Sequence, residues 1–272
     1  MRKTIASLVT LIAISSTAWA ADTPDERAAA LAPHVELSMP ETAAPHPLAI
    51  LMPGCLGWHP HHDRWRDELL SRGFAVLHVD SFGARGFGDR AVMEREICTG
   101  RQIPGFERAG DLMAVLAEIW ARPEVQADQT VLMGWSHGGW SGMDFMTLAE
   151  TARTPPNLST MPDLELSNIV AAFFFYPYCG FGSLTGEDGF PQSVKTVIFH
   201  GTADVITDPR ECRARAEALA TAGADVEFVS LRNAGHWFDN HSEPTTYDSG
   251  AAAQTQSVID SVLEELAIGA ND

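Results

Sequence analysis

The sequence has 272 residues, and its 36 acidic side chains outnumber its 18 basic ones, which gives a formal net charge of −18 at pH 7. A chain this acidic should be repelled by nucleic acid and by anionic membrane surfaces, so neither is an expected partner. The length suits one large α/β domain with a substantial core.

The first twenty residues have the organisation of a secretory signal peptide. Two basic residues precede an apolar run over 5–14, and Ala18-Trp19-Ala20 matches a small-residue cleavage site. An apolar run of about ten residues is too short to cross a bilayer, which takes about twenty. We therefore predict that residues 1–20 are removed and that residues 21–272 form one domain, periplasmic or secreted, without stable membrane insertion. An uncleaved membrane anchor is the alternative.

The even number of cysteines favours two disulfides, because an exported chain meets an oxidising compartment. Four cysteines allow three pairings, which their spacing does not resolve, and four buried free thiols are the alternative. No C-x-x-C spacing occurs, so a zinc site or a redox motif has little support. The cysteines are Cys55, Cys98, Cys179 and Cys212.

Strand-like and helix-like segments alternate along the chain. An edge strand over 34–39 follows a leader rich in Ala and Pro, which we predict to be mobile. Further strands are predicted over 48–52, 74–79, 130–133, 168–176, 194–200 and 226–231. Helices are predicted over 63–72, 106–122, 209–222 and 254–267. This order indicates a mostly parallel sheet with helices on both faces. Loops over one end of the sheet, where they commonly shape a cleft, are predicted at 154–166 and 180–192.

The segment Gly134-Trp135-Ser136-His137-Gly138 carries the pattern G-x-S-x-G between a predicted strand and a helical segment. In that context the serine lies on a sharp, strained turn with its hydroxyl exposed at the edge of the sheet. The glycines remove Cβ atoms that would collide in such a turn. Ser136 is therefore a candidate nucleophile.

A serine nucleophile needs a histidine base, and that histidine needs an orienting carboxylate. On this type of sheet the carboxylate comes before the histidine in the chain, and both follow later strands. Asp204 comes directly after the strand over 194–200, and His236 comes after the strand over 226–231. Both are candidate catalytic residues.

Other residues compete for the same two roles. Asp208 is better placed to cap the following helix, and Asp225 lies before a strand rather than after one. His241 is the alternative base, although it lies further from the last strand than His236.

Two backbone N–H groups are candidates for binding the oxyanion of an acyl-transfer reaction. One normally belongs to the residue after the nucleophile, here His137, and the other to an early loop. The glycine-rich turn after the strand over 48–52 supplies that loop, and within it we favour Cys55.

Several segments together resemble the dienelactone hydrolase family of the α/β-hydrolase superfamily, in particular its exported members. The resemblance implies an α/β-hydrolase fold and hydrolysis of an ester or lactone by a triad without a metal or cofactor. It also implies pairing of Cys55 with Cys98 and of Cys179 with Cys212. The segments are the one around Ser136, Pro53-Gly54-Cys55-Leu56-Gly57, Asp80-Ser81-Phe82-Gly83-Ala84-Arg85-Gly86, Phe175-Tyr176-Pro177-Tyr178-Cys179, His200-Gly201-Thr202-Ala203-Asp204 and Gly235-His236.

The chain departs from the family pattern at two positions. Members that cleave dienelactones have a cysteine nucleophile and an acidic side chain in the oxyanion loop, where this chain has Ser136 and Gly54. We therefore expect a serine esterase or lactonase that acts on a small molecule. A binding protein without turnover, or a peptidase or acyltransferase of the same fold, are the alternatives.

A few other side chains are candidates for contact with substrate. Arg85 would bind a substrate carboxylate, although a structural pair with Asp80 or a loop carbonyl is the favoured interpretation. Aromatic side chains near the motifs would line an acyl pocket or pack in the core; they are Trp58, Trp135, Trp140 and Trp237. A metal at His59, His61 and His62, which would make the enzyme metal-dependent, is disfavoured because their spacing matches no zinc pattern.

Overall fold

The computed structural model describes residues 21–186 and 189–269, so the predicted signal peptide lies outside the described residues. One seven-stranded sheet runs through the described chain. Its strands are β1 Val35–Ser38, β2 His46–Met52, β3 Ala75–Val79, β4 Val125–Trp135, β5 Ile169–Phe175, β6 Lys195–Gly201 and β7 Val226–Leu231. The helices are α1 Pro24–Leu31, α2 Pro60–Ser71, α3 Arg90–Val92, α4 Gly105–Trp120, α5 His137–Glu150, α6 Pro209–Thr221 and α7 Ser249–Glu265. A π-helical turn, Met93–Ile97, continues α3.

The strand order is β1-β3-β2-β4-β5-β6-β7. Only β1 is antiparallel to its neighbour, and the other pairs are parallel. This confirms the predicted edge strand and the mostly parallel sheet. The predicted strand over 130–133 is the apolar part of the longer β4, whose more polar first half pairs with β2 at its own register.

Helices cover both faces of the sheet, as predicted. Alternate residues of a strand point to opposite faces, and β2 illustrates this: Leu48 and Ile50 join one hydrophobic cluster, and Ala49 and Leu51 join the other. The first cluster contains residues of α1, α4, α5 and α6, and the second contains residues of α2 and α7. Both faces of the central strands are therefore buried, which accounts for their nearly continuous apolar sequence.

The prediction of a mobile leader before β1 is wrong, because helix α1 forms there. Thr23 caps it: the Thr23 hydroxyl accepts from the N–H of Glu26, whose carboxylate accepts from the N–H of Thr23. Leu31 is buried, and Arg27 pairs with Asp111 of α4. These contacts hold the segment against the first face of the sheet.

Two disulfides lie near the carboxyl end of the sheet, and the second of them joins a loop to helix α6. Cys55 pairs with Cys98 and Cys179 with Cys212, the pairing that the resemblance implies. Within residues 21–186 and 189–269, no helix is long and apolar enough to cross a membrane.

Candidate active site

Ser136 lies on a sharp turn between β4 and α5. Its backbone has φ 53° and ψ −114°, a conformation that side-chain-bearing residues rarely adopt. The flanking glycines permit the turn, because a Cβ on Gly134 would collide with the backbone of Gly138, and a Cβ on Gly138 would collide with the carbonyl of Met52. The end of β4, the two glycines and the start of α5 therefore together fix the position of this serine.

The side chains of Ser136, His236 and Asp204 form a continuous chain of hydrogen bonds. His236 Nδ1 lies 2.7 Å from Asp204 Oδ2, and His236 Nε2 lies 3.0 Å from Ser136 Oγ. A carboxylate only accepts, so Nδ1 carries the proton and Nε2 is free to accept from the serine hydroxyl. Asp204 lies after β6 and His236 after β7, the positions expected from the sequence.

The competing residues have other contacts. Asp208 caps α6 by accepting from the N–H of Arg210, as predicted. Asp225 pairs with Lys195 at the opposite end of β6, and His241 is exposed. None of the three belongs to the hydrogen-bonded chain.

Asp204 is held in its ionised form by its surroundings. Burial opposes ionisation, but the hydrogen bond and charge of His236, with the N–H groups of Ile206 and Thr207, outweigh it and keep the pKa of the carboxyl below its ordinary value. The Thr207 hydroxyl lies 3.0 Å from Asp204 Oδ2 and 3.3 Å from Nε2 of the buried His200. Both carboxylate oxygens therefore have donors, which fixes the orientation of the group.

The two predicted oxyanion donors belong to two segments that meet at Ser136. His137 begins α5, and Cys55 lies in the loop after β2, tied to Cys98. Among the described residues neither backbone N–H donates a hydrogen bond, so both are available to a ligand. Gly54 approaches the nucleophile closely, since a Cβ there would lie 3.5 Å from the Cβ of Ser136.

The His137 side chain points away from this space. Its Nε2 lies 2.8 Å from the carbonyl oxygen of Ile103 and its Nδ1 lies 3.2 Å from Nη1 of Arg108. Burial, assisted by the charge of Arg108, lowers the pKa of His137 to about 3, so the ring is neutral.

A cavity of about 600 Å³ opens above Ser136 and His236. Three tryptophans line it, namely Trp135, Trp140 and Trp237. Phe181 and Ile206 also line it and are 99% and 69% exposed, so they lie at its mouth. Aromatic and apolar side chains thus make up much of the lining, and the polar groups around the serine hydroxyl include several histidines and threonines, with Arg90 and Glu94.

Two candidate substrate contacts have partners outside the cavity. Trp58 does not line the cavity: its Nε1 donates to Asp63, and its ring packs on His78. Arg85 makes a bidentate pair with Asp111 and donates to the carbonyl of Ser81. The guanidinium thus has structural partners. A loop carbonyl is one of them, as the favoured interpretation expects, and the paired carboxylate is that of Asp111 rather than that of Asp80.

Three histidines form one wall of the cavity. His61 and His62 are buried, with ring centroids 3.8 Å apart, and His59 lies 6.1 Å from His61. Burial lowers the pKa of all three, so they are neutral at pH 7. In the described residues no three His, Cys, Asp or Glu side chains are grouped to hold a metal ion.

Asp239 and Arg108 support the site, and the sequence analysis identified neither. Asp239 accepts from the hydroxyl of Tyr176 at 2.7 Å and from Nε1 of Trp135 at 2.8 Å. Arg108 donates to the carbonyl of Pro53 at 2.9 Å. These contacts join residues 55 to 104 positions apart, so no local pattern marks them.

No family model matches the chain, and a search of curated proteins found no match. Solved structures do resemble it. A putative dienelactone hydrolase from Klebsiella pneumoniae subsp. pneumoniae MGH 78578 is 18% identical with a TM-score of 0.64, covering 83% of this chain and 90% of its own. A dienelactone hydrolase-like promiscuous phosphotriesterase from metagenomic libraries is 19% identical with a TM-score of 0.65, and the match covers 85% of this chain and 92% of that protein. Propionate-bound esterase 2 of Thermogutta terrifontis is 18% identical with a TM-score of 0.61, and the match covers 88% of this chain and 91% of that protein. The seven-stranded sheet and these similarities assign the chain to the α/β-hydrolase fold.

Proposed function

We propose that the protein is a serine hydrolase that cleaves a carboxylic ester or lactone through an acyl-enzyme intermediate. The observation that carries the proposal is the hydrogen-bonded chain from Ser136 through His236 to Asp204, which opens into a cavity. Its geometry matches that of a nucleophile, a base and an orienting carboxylate. The resemblance of the sequence to dienelactone hydrolases supports the same chemistry.

In the first half of the proposed reaction, Ser136 Oγ attacks the ester carbonyl while His236 Nε2 takes the hydroxyl proton. The carbonyl oxygen becomes an oxyanion, which the N–H groups of Cys55 and His137 bind. Asp204 stabilises the imidazolium that forms. The tetrahedral intermediate then collapses, and His236 returns the proton to the leaving alkoxide, which departs as an alcohol and leaves an acylated serine.

In the second half, a water molecule attacks the acyl carbon. His236 takes a proton from the water, the oxyanion forms again, and the serine leaves as its proton returns from His236. A lactone would follow the same steps, with the alcohol still attached to the acyl group.

The aromatic lining favours a small ester or lactone with an apolar acyl or alcohol part. One protein with a similar fold supports this range: esterase 2 of Thermogutta terrifontis has been described both with propionate bound and phosphorylated by paraoxon. The serine nucleophile and Gly54 argue against the cysteine chemistry of the dienelactone-cleaving members.

We also propose that the chain acts outside the cytoplasm, as one domain over residues 21–272 after removal of residues 1–20. The two disulfides support export, since such bonds persist in oxidising compartments. The proposed partner is a small-molecule substrate, and the charge of −18 argues against nucleic acid.

Hydrolysis of short-chain p-nitrophenyl esters by wild type and Ser136→Ala tests the proposal. We expect turnover in wild type and a loss of at least about 10³-fold in the variant, because a triad without its nucleophile retains only the contribution of binding and the oxyanion donors. Ser167→Ala, an exposed serine that bonds Glu165, is the control and should keep full activity. An unchanged circular dichroism spectrum would establish that each variant is folded.

A fluorophosphonate probe separates this proposal from a binding protein without turnover. An activated Ser136 should be labelled in wild type and not in Ser136→Ala. Full ester hydrolysis in folded Ser136→Ala would refute the proposal, and so would a folded wild type with neither labelling nor turnover. Product analysis with peptide substrates and alcohol acceptors would identify a peptidase or an acyltransferase.

A further inference from the structure

Arg108 is a buried cation directly behind the candidate site. It lies in the first turn of α4 and is only 2% exposed. Its Nη1 lies 2.9 Å from the carbonyl oxygen of Pro53 and 3.2 Å from Nδ1 of His137. Its guanidinium carbon lies 4.5 Å from the centre of the Phe82 ring. One nitrogen thus contacts both the loop after β2 and the first residue of α5.

This placement is energetically costly for a charged group. Burial lowers the pKa of Arg108 to about 10, partly offset by the charges of Asp111 and Asp80, so the side chain stays charged at neutral pH. Among the described residues it forms no salt bridge, and its Nε has no hydrogen-bond partner. A buried cation without a carboxylate partner destabilises a fold unless its remaining contacts are favourable. The contacts with Pro53 and His137 are therefore its main compensation.

The two acceptors of Arg108 belong to the two segments that carry the oxyanion donors. Pro53 is two residues before Cys55, and His137 carries the second N–H itself. An arginine only donates, so His137 Nδ1 must accept and His137 Nε2 must donate to Ile103. The guanidinium therefore fixes the ring of His137, and through the Pro53 carbonyl it fixes the loop of Cys55 relative to that ring.

We propose that Arg108 is a positioning residue that sets the spacing between the backbone donors of Cys55 and His137. The inference rests on the proposed function and adds to it a residue that touches neither substrate nor the reacting atoms. A fixed spacing matters because oxyanion donors act through preorganisation, and a displacement of about 1 Å can cost about 100-fold in rate.

The test is a kinetic comparison of wild type, Arg108→Met and Arg108→Lys. We expect kcat to fall about 10- to 100-fold in Arg108→Met with KM changed less than about threefold, because the oxyanion donors stabilise the transition state more than the bound ester. Arg108→Lys keeps the charge and a donor but not the planar fork, so its loss should be smaller but still about threefold or more. Arg27→Met, which removes an arginine that contacts α4 at Asp111, is the control and should keep kcat.

Two further readouts separate positioning from general loss of structure. A trifluoromethyl ketone forms an alkoxide adduct with a catalytic serine, and its affinity should fall in Arg108→Met by the same factor as kcat/KM. The pH profile of kcat/KM, which reports the base, should keep its shape because Arg108 does not contact His236. A merely destabilised protein would lose melting temperature without this matched loss of inhibitor affinity.

The outcomes distinguish this inference from the proposed function. Wild-type protein without ester turnover and without fluorophosphonate labelling would overturn both. An active wild type together with a folded Arg108→Met or Arg108→Lys that keeps kcat and inhibitor affinity within twofold would overturn the role of Arg108 alone. If neither variant folds, Arg108 serves the fold rather than the donors, and the proposal is also overturned.

Discussion

Neutralising Asp239 should weaken both the fold and the site. Its carboxylate accepts from the hydroxyl of Tyr176 at 2.7 Å and from Nε1 of Trp135 at 2.8 Å, and all three side chains are buried. Burial and the charge of Asp239 raise the pKa of Tyr176 well above its ordinary value, so the hydroxyl remains a donor at any accessible pH. Both neighbours therefore need an acceptor.

The size of the effect follows from the donors that Asp239→Asn leaves unsatisfied. An amide offers one oxygen, so one donor keeps a partner and the other faces an NH₂ group. Hydrogen bonds to charged groups are each worth about 1.5–3 kcal/mol, and a buried donor without a partner costs about 1–3 kcal/mol. We expect the free energy of unfolding to fall by about 2–4 kcal/mol, which a domain of ordinary stability survives. We also expect kcat to fall, because Asp239 lies in the loop of His236, whose ring packs 4.4 Å from that of Tyr176.

Urea unfolding and ester hydrolysis of Asp239→Asn, Tyr176→Phe and the double variant measure this effect. Removing the tyrosine hydroxyl also removes the unpaired donor, so the double variant should lose at least about 1 kcal/mol less than the sum of the single losses. Asp225→Asn, which removes an exposed carboxylate paired with Lys195, is the control and should change stability by less than about 0.5 kcal/mol. Additive losses, or an Asp239→Asn variant as stable and active as wild type, would refute the reasoning.

Three further predictions concern the triad, the histidine wall and the disulfide beside the site. Asp204→Asn should lower kcat about 10³- to 10⁴-fold in steady-state assays, because the amide favours the wrong tautomer of His236; a loss below tenfold would contradict the assigned role. Because the native pKa values of His61 and His62 are lowered, their contribution to stability is complete above about pH 6.5 and is lost as the pH falls below it, by at most about 2 kcal/mol per histidine at pH 5. The midpoint of urea unfolding should thus fall less between pH 7 and pH 5 in His61→Phe than in wild type. An equal fall would contradict the contribution assigned to His61. Cys98→Ala removes a disulfide between residues 43 positions apart, so urea unfolding should show that the free energy of unfolding falls by about 4 kcal/mol. The variant should also have a lower kcat, because the loop of Cys55 is no longer held by the disulfide. An unchanged kcat would argue against Cys55 as an oxyanion donor.

The sequence predicted those features that local patterns encode. Runs of apolar residues predicted the strands, and the order of Ser136, Asp204 and His236 after successive strands predicted which side chains would meet. The helix α1 was also encoded locally, in the capping box from Thr23 to Glu26, but the abundance of Ala and Pro around it favoured the interpretation of a mobile leader. That error came from weighing composition above a specific capping pattern.

The features that the sequence did not predict depend on contacts between distant segments. Trp58 and Trp135 are both tryptophans beside motif residues, yet only Trp135 lines the cavity. The ring of Trp58 instead packs on His78, and its Nε1 donates to Asp63 in the first turn of α2. Similarly, Arg85 donates two hydrogen bonds to Asp111 of α4, and no local sequence pattern indicates that these two residues are close together. The type of a polar side chain predicts which groups it can bind. Which of these groups lies within reach depends on the fold.

Three residues of the candidate site have strained backbone conformations. Ser136, Tyr176 and Trp237 have φ values of 53°, 38° and 64°, in the region that favours glycine, and each such residue costs about 1–3 kcal/mol. Hydrogen bonds to neighbouring strands hold two of them: the N–H of Ser136 donates to the carbonyl of Phe175 at 2.9 Å, and that of Tyr176 donates to the carbonyl of Phe199 at 2.7 Å. Asp239 adds a restraint, because its carboxylate joins Tyr176 to the residue before Ser136. One buried charge thus restrains two strained positions at once, and this is why its neutralisation should reduce activity as well as stability.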